Sequence, residues 1–151
     1  MVTVRDATVA DQEALLWLCQ QAEEELVAQR GGEDYLASLL PGDAASIESL
    51  LVDPLSAVLV GEIEFETVAF ALLRIEGVCA ELAILYSAMP ARGIGVGTAL
   101  LDEVHRRVAA AGATRLDSYA LPGDRMTKNF FESHSMKSRL LVVSTPIGAN
   151  A

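Results

Sequence analysis

Lysine is nearly missing from this 151-residue chain: two stand beside nine arginines, and 21 acidic side chains leave a formal net charge of −10. So acidic a surface argues against a phosphodiester backbone as the partner. Cysteine is scarce too. Cys19 and Cys79 are too few for a disulfide framework, and no spacing of Cys, His, Asp and Glu suggests a metal site. Both fall in apolar runs and are expected to be buried free thiols. No apolar stretch approaches the roughly 20 residues that span a bilayer. The opening MVTVRDATVADQE lacks the basic-then-apolar pattern of a secretory leader. These absences predict a cytoplasmic protein with no membrane segment. What is present is core material. Hydrophobic residues make up 52% of the chain and charged ones 21%, which excludes a disordered segment and predicts one domain over residues 1–151.

The charge is unevenly spread. Residues 1–90 hold 16 acidic and 3 basic side chains, whereas residues 91–151 hold 5 acidic and 8 basic. The second half suits an anionic ligand and the first suits a cation such as a protonated amine.

Periodicity assigns the elements. Thr3–Arg5 reads as a strand. Thr8 and Asp11 form a capping-box pattern ahead of a helix whose apolar stripe is Leu15, Leu18, Cys19, Ala22 and Leu26. Gly31-Gly32 breaks that helix, and residues 34–40 and 44–52 read as short helical pieces, Asp43 capping the second. Strands follow at 57–62, 66–75 and 79–87. A helix over 97–111 shows Leu100, Leu101, Val104, Val108 and Ala111 on one face, with Asp102–Arg106 and Glu103–Arg107 as i,i+4 pairs on another. A strand over 114–120, a helix over 125–133 and a last strand over 138–144 complete the chain. With the two short helical pieces counted together, the order is β-α-α-β-β-β-α-β-α-β. Three consecutive strands give an antiparallel meander, and the later strand–helix–strand unit requires a parallel crossover.

The turn ARGIGVGTALL, residues 91–101, joins the fourth strand to its helix. Its glycines at 93, 95 and 97 let the backbone approach a ligand closely. Amides at the mouth of a helix converge on an anion. A P-loop is excluded, because the turn contains no lysine. A dinucleotide G-x-G-x-x-G is not met either, since the third glycine falls on Thr98 or Leu100. The pattern R-x-x-G-x-G is met by Arg92, Gly95 and Gly97, although a ligand-free strand-to-helix turn satisfies the same three positions.

That motif, placed after the fourth strand, resembles the pyrophosphate loop of the GNAT acetyltransferase superfamily, and the element order resembles the superfamily over nearly the whole chain. VTVRDATVADQEALLWL looks like its first strand and helix. ALPGDRMTKNFFESHSMKSRLLVV looks like its later strand–helix motif, and LPGDRMTKNFFE resembles an actinobacterial group within it. The resemblance implies an α/β fold with a mixed, mostly antiparallel sheet, flanked by helices, whose parallel strands four and five splay apart. It implies acetyl-CoA as co-substrate and no metal. The pantetheine arm would lie in the splay along Leu85, Tyr86 and Ser87. The pyrophosphate would rest on Arg92, Gly93, Ile94, Gly95, Val96, Gly97 and Thr98. Lys128 would reach the nucleotide's 3′-phosphate, as would Arg125, and Phe131 would close over the cofactor.

Acetyl transfer to an amine needs a base, because most amines are protonated at neutral pH. Glu81 interrupts the apolar string VCAELAILY, 14 residues before Gly95. Some members of the superfamily carry a basic glutamate at this spacing. Six strand steps of ~3.3 Å set it about 20 Å from Ser87, which separates chemistry from the pyrophosphate. Phe131 falls where many members have a proton-donating tyrosine, and Asp124 where they have asparagine. Tyr119 is a substitute donor. His105, His134 and the run Glu23–Glu25 read as solvated or structural. The expected reaction is direct transfer from acetyl-CoA to a small cationic amine or to a protein lysine or N-terminal amine. A non-catalytic acyl-CoA-binding module is the alternative that Phe131 favours. With one strand after the last helix, the sheet edge is expected to be shorter or to be completed by a partner chain, as in a homodimer.

Overall fold

The computed structural model describes residues 1–37 and 39–148. Five strands form one sheet in the order β1 (Val2–Asp6), β2 (Ser56–Ile63), β3 (Glu66–Glu76), β4 (Cys79–Ser87), β5 (Arg115–Asp117). The first four pair antiparallel and β4 pairs β5 in parallel. The helices are α1 (Gln12–Val27), α2 (Gly32–Leu36), α3 (Ala44–Val52), α4 (Val96–Ala110) and α5 (Arg125–Ser133).

Strand alternation gives the sheet two apolar faces. Val58, Val60, Phe70 and Leu72 point to the side covered by Leu15, Leu18, Cys19 and Ala22 of α1 and Ile47 of α3. Leu59, Ala69, Ala71 and Leu73 point to the other side, where Val96, Leu100, Leu101, Val104 and Val108 of α4 pack. Each fully buried leucine or valine contributes about 1.5–3 kcal/mol. The capping residues act as expected: Thr8 N–H donates to Asp11 Oδ2 at 2.8 Å, and Ser46 N–H to Asp43 Oδ1 at 2.8 Å.

Several expectations are corrected. The last strand is not formed: 138–144 carries no sheet pairing, and Leu140, Leu141, Val142 and Val143 lie 75–92% exposed. β5 is three residues long rather than seven, because its partner strand bends away after Glu81. Cys79 is exposed, as it opens β4 at the rim of the sheet, whereas Cys19 is buried in α1. Arg106 pairs with Glu103 rather than with Asp102, and Arg107 bridges Glu103 and Asp6. The first of the two short helical pieces, expected over 34–40, spans Gly32–Leu36 and closes there.

Gly61 of β2 seats the glycine turn. A Cβ built there would stand 2.5 Å from Cγ2 of Val96, the first residue of α4. A bare backbone lets the mouth of α4 lie directly on the sheet. Gly61→Val should destabilise the fold by about 1–3 kcal/mol through overpacking, read as a lower urea midpoint with an unchanged slope.

Candidate functional site

One irregularity in β4 creates the site. The β3–β4 register runs Leu72↔Ile84, then Leu73↔Leu82, so Ala83 is an extra residue without a partner. Side-chain direction records the same slip: Ala80 and Leu82 pack on the α4 side, whereas both Ala83 and Ile84 pack on the α1 side. A bulge of this kind bends its strand and increases the local twist. Pairing with β5 stops at Glu81↔Asp117, two residues before the bulged Ala83. From there the two strands diverge. Ser118 Oγ donates to Leu82 O at 2.8 Å and the Tyr35 hydroxyl donates to Ala83 O, closing the apex of the wedge.

The wedge opens into a cleft of about 660 Å³. Leu85, Tyr86 and Ser87 line one wall, Ser118–Leu121 the other, and Thr127, Phe130 and Phe131 of α5 the roof. At its far end lies the glycine turn. Gly93 and Gly95 have φ of 81° and 101°, and a Cβ on either would meet open space, so backbone conformation alone demands glycine there. Gly97 differs: its φ is ordinary, and its Cα hydrogens face Phe130, whose ring carbons would lie 3.5 Å from a Cβ. Arg92 N–H is bonded to Met89 O and Ala99 N–H to Gly95 O. Among the described residues, the six amides between them, Gly93 to Thr98, donate to no acceptor. A run of free N–H groups leading into a 15-residue helix is an anion cradle.

Arg92 is oriented by its neighbours. Its Nε donates to Ser87 O at 3.0 Å, its Nη2 to Glu25 Oε2 at 2.6 Å, and its guanidinium carbon sits 5.4 Å from the centre of the Tyr86 ring. Burial raises the Glu25 carboxyl, but Arg92 and the Tyr86 hydroxyl outweigh it and hold it below the usual range. Burial, followed by the Glu25 carboxylate, pushes the Tyr86 phenol up. Glu25 is therefore a half-buried partner rather than part of a solvated run, while Glu23 and Glu24 face water. Arg92 Nη1 has no partner among the described residues.

Glu81 does not line the cleft, but Tyr119 does. The Tyr119 hydroxyl donates to Glu81 Oε2 at 2.5 Å, and the Tyr119 ring lies 5.9 Å from that of Tyr35. Hydrogen bonding to Glu81, with some burial, pushes the Tyr119 phenol up to about 12. Sequence reasoning named Glu81 and Tyr119 separately and missed Tyr35, which the short helix α2 delivers across the apex.

Helix α5 is tied to the glycine turn. Asp124 caps it, accepting from Thr127 N–H at 3.0 Å and Thr127 Oγ1 at 2.7 Å, so aspartate performs the capping that asparagine would. His134 joins the helix end to the turn, with Nδ1 2.7 Å from Phe130 O and Nε2 3.2 Å from Thr98 Oγ1. Of the residues expected to hold the cofactor, Leu85, Tyr86, Ser87, Arg92, Gly93, Gly95, Val96, Gly97, Thr98 and Phe131 meet at the cleft. Ile94 points its side chain to solvent at 54% exposure, and Lys128 is turned to Glu132, 3.2 Å away on the outer face of α5. No cluster of three potential metal ligands exists among the described residues, and none of their helices is long and apolar enough to cross a membrane.

Glu81→Gln removes the anionic acceptor of Tyr119. The Tyr119 titration, followed by carbon NMR of labelled tyrosine, should fall from about 12 toward the ordinary value of about 10. An unmoved titration would mean that the two side chains are not bonded in solution.

The sequence matches no family model and no curated relative. The fold does find counterparts among solved structures. A mutant of the BH1408 protein from Bacillus halodurans aligns at a TM-score of 0.82 and 18% identity, over 96% of this chain and 99% of the other. The PaiA N-acetyltransferase of Thermoplasma acidophilum, in complex with coenzyme A, aligns at 0.76 and 16%, over 89% and 88%. The aminoglycoside N-acetyltransferase AAC(6')-Iy, also in complex with coenzyme A, aligns at 0.77 and 15%, over 97% and 95%. The alignments run over nearly the full length of this chain and of those N-acetyltransferases, and the five-stranded mixed sheet flanked by helices is the architecture they share: the chain has the fold of the GNAT acetyltransferases.

Proposed function

We propose that this protein transfers an acetyl group from acetyl-CoA to a primary amine within a ternary complex. The reading is carried by the six unpartnered amides of Gly93–Thr98 at the end of a wedge-shaped cleft of about 660 Å³, which Gly93, Gly95, Val96, Gly97 and Thr98 line. Two of the structural counterparts were solved with coenzyme A, which supports the same ligand here. The residues present fit it. Gly93, Ile94, Gly95, Val96, Gly97 and Thr98 would hold the diphosphate through main-chain N–H groups, with Arg92 Nη1 adding charge. Among the described residues β4 has no strand partner beyond Glu81 on its β5 side, so the backbone at Leu85–Ser87 would pair with the pantetheine amides. Phe131 would pack over them.

Acetyl-CoA would supply an activated thioester whose C–S bond breaks as the amine forms the amide bond, coenzyme A leaving as a thiolate that water can protonate. Glu81 Oε1 is unpartnered among the described residues and would accept the amine proton, directly or through water. Tyr119 would fix the other carboxylate oxygen and place its phenol between Glu81 and the cleft. Amides on the free edge of β4 would stabilise negative charge developing on the carbonyl oxygen. The acidic first half of the chain favours a cationic acceptor, either a small amine or a lysine or N-terminal amine of a protein. Lys128, held on the outer face of α5, would meet the 3′-phosphate only after leaving Glu132.

The second reading is a binding module that holds acyl-CoA without turnover. Phe131 has no proton to give where the cleft is roofed, and that observation alone favours it.

Calorimetry with coenzyme A, run beside thiol release from acetyl-CoA over an amine panel, tests both. Arg92→Glu places a carboxylate beside Glu25 at the diphosphate and should weaken coenzyme A binding by about tenfold or more. Unchanged affinity would remove the diphosphate assignment. Glu81→Gln should spare binding and depress turnover most at the lower end of the pH range, where the amine holds its proton hardest. An unaltered pH–rate profile would remove Glu81 as the base.

A further inference from the structure

Among the described residues, one side-chain hydrogen bond joins α5 to the glycine turn: His134 Nε2 lies 3.2 Å from Thr98 Oγ1. The groups around the ring fix which nitrogen carries the proton. Nδ1 lies 2.7 Å from Phe130 O, and a carbonyl oxygen only accepts. Ser133 Oγ, 3.1 Å from the same nitrogen, directs its own proton to Phe130 O at 2.7 Å, so it accepts as well. Nδ1 therefore holds a hydrogen in either charge state of the ring. The neutral imidazole leaves Nε2 as a lone pair that accepts from the Thr98 hydroxyl. Phe130 packs on the imidazole with ring centres 4.7 Å apart, and the same phenyl ring lies against Gly97.

Thr98 lines the cleft, and its amide is one of the six that donate to no acceptor. While its hydroxyl proton goes to a neutral His134, Thr98 Oγ1 has only lone pairs to present to an anion in the turn. A proton taken from solvent onto Nε2 reverses the bond. Nε2–H then donates to Thr98 Oγ1, and the hydroxyl proton is free to point into the cleft. We propose that His134 is a positioning residue for the coenzyme A diphosphate: once protonated, it makes the Thr98 hydroxyl a donor to a diphosphate oxygen and sets a positive charge behind it. This role rests on the acetyl-CoA reading of the cleft.

The protonated ring favours the anion and the anion favours the protonated ring, so the two are linked with one sign. The added affinity is complete below the pH at which His134 titrates in the free protein. It is lost as pH rises through the midpoint of the complex. Other charged groups belong to the same elements. On α5, Lys128 and Glu132 pair at 3.2 Å, and at the turn Arg92 is held by Glu25 at 2.6 Å. On α4, Asp102 and His105 stand about one and two turns beyond Thr98, and Lys137 follows α5 on the exposed segment. Among the described residues no carboxylate is within ion-pair reach of the His134 ring.

Calorimetry on the full chain with dephospho-coenzyme A reads the link. This probe lacks the 3′-phosphate, a monoester of the kind that itself titrates at about pH 6, and its diphosphate keeps its charge across the range. Affinity should rise about fivefold to tenfold from about pH 8 to about pH 5.5. Thr98→Val keeps the shape and the main-chain amide but removes the hydroxyl, and should flatten most of that rise. Thr98→Ser should restore it, and His134→Gln should leave an affinity that is nearly flat. Nitrogen NMR of the intact protein is independent of how the variants fold. It should place the proton of neutral His134 on Nδ1, and the ring's titration midpoint should move up when dephospho-coenzyme A binds, with His105 as the internal reference. A rise in affinity that Thr98→Val leaves intact would overturn the proposal, as would a His134 midpoint that the ligand does not move. If the wild-type chain binds the probe with the same affinity throughout, the role of His134 falls and the diphosphate assignment stands. If it binds none at any pH, the acetyl-CoA reading falls and takes this role with it.

Discussion

The extra residue at Ala83 is the constraint on which the rest depends. Regular pairing would carry β5 alongside β4 to its end and leave no space between them. By bending β4 immediately after Glu81, the bulge releases β5, exposes one edge of Leu85–Ser87 and opens the cleft toward the glycine turn. It also frees two successive carbonyls, Leu82 O and Ala83 O, and both are capped by hydroxyl groups. The polar groups that a break in a sheet would strand are therefore satisfied at its apex, while those further along stay open to a ligand.

Charge within the cleft is arranged in layers. At the glycine turn the positive end of α4 and the free amides dominate, and Arg92 is drawn back by Glu25, Ser87 O and the Tyr86 ring. The pairing of Arg92 with Glu25 keeps the guanidinium at a fixed angle in a partly buried setting, so little rotamer freedom is lost when an anion arrives. At the other end the acidic group is Glu81, shielded by Tyr119 and Tyr35. A chain-like ligand lying between the two would meet donors at one end and the Tyr119 hydroxyl, bonded to Glu81, at the other.

Much of this was legible in the sequence because local signals and tertiary structure agree. The apolar stripes of α1 and α4, the caps Asp11 and Asp43, the meander and the R-x-x-G-x-G turn rest on patterns a few residues long. Features that rest on pairing between distant segments were not. The bulge at Ala83 has no composition signal, since alanine in a buried strand is ordinary. Glu25 lies in a run of three glutamates, and only the approach of Arg92, 67 residues on, separates it from its solvated neighbours. The 138–144 run has genuine strand character; what it lacks is a partner within its own sheet, and periodicity does not register partners.

The bulge also bears on which mutations this architecture tolerates. Many side chains along β4 are interchangeable apolar residues, and swapping one for another leaves the main chain where it is. Loss of a single residue between Glu81 and Tyr86 is different in kind. It would restore even alternation, turn the carboxylate to the opposite face relative to the turn, and re-zip the strands. The chemistry of this wedge is thus encoded less in letters than in counting, and length variation in β4 is the change under which proteins of this shape would be expected to part company in activity.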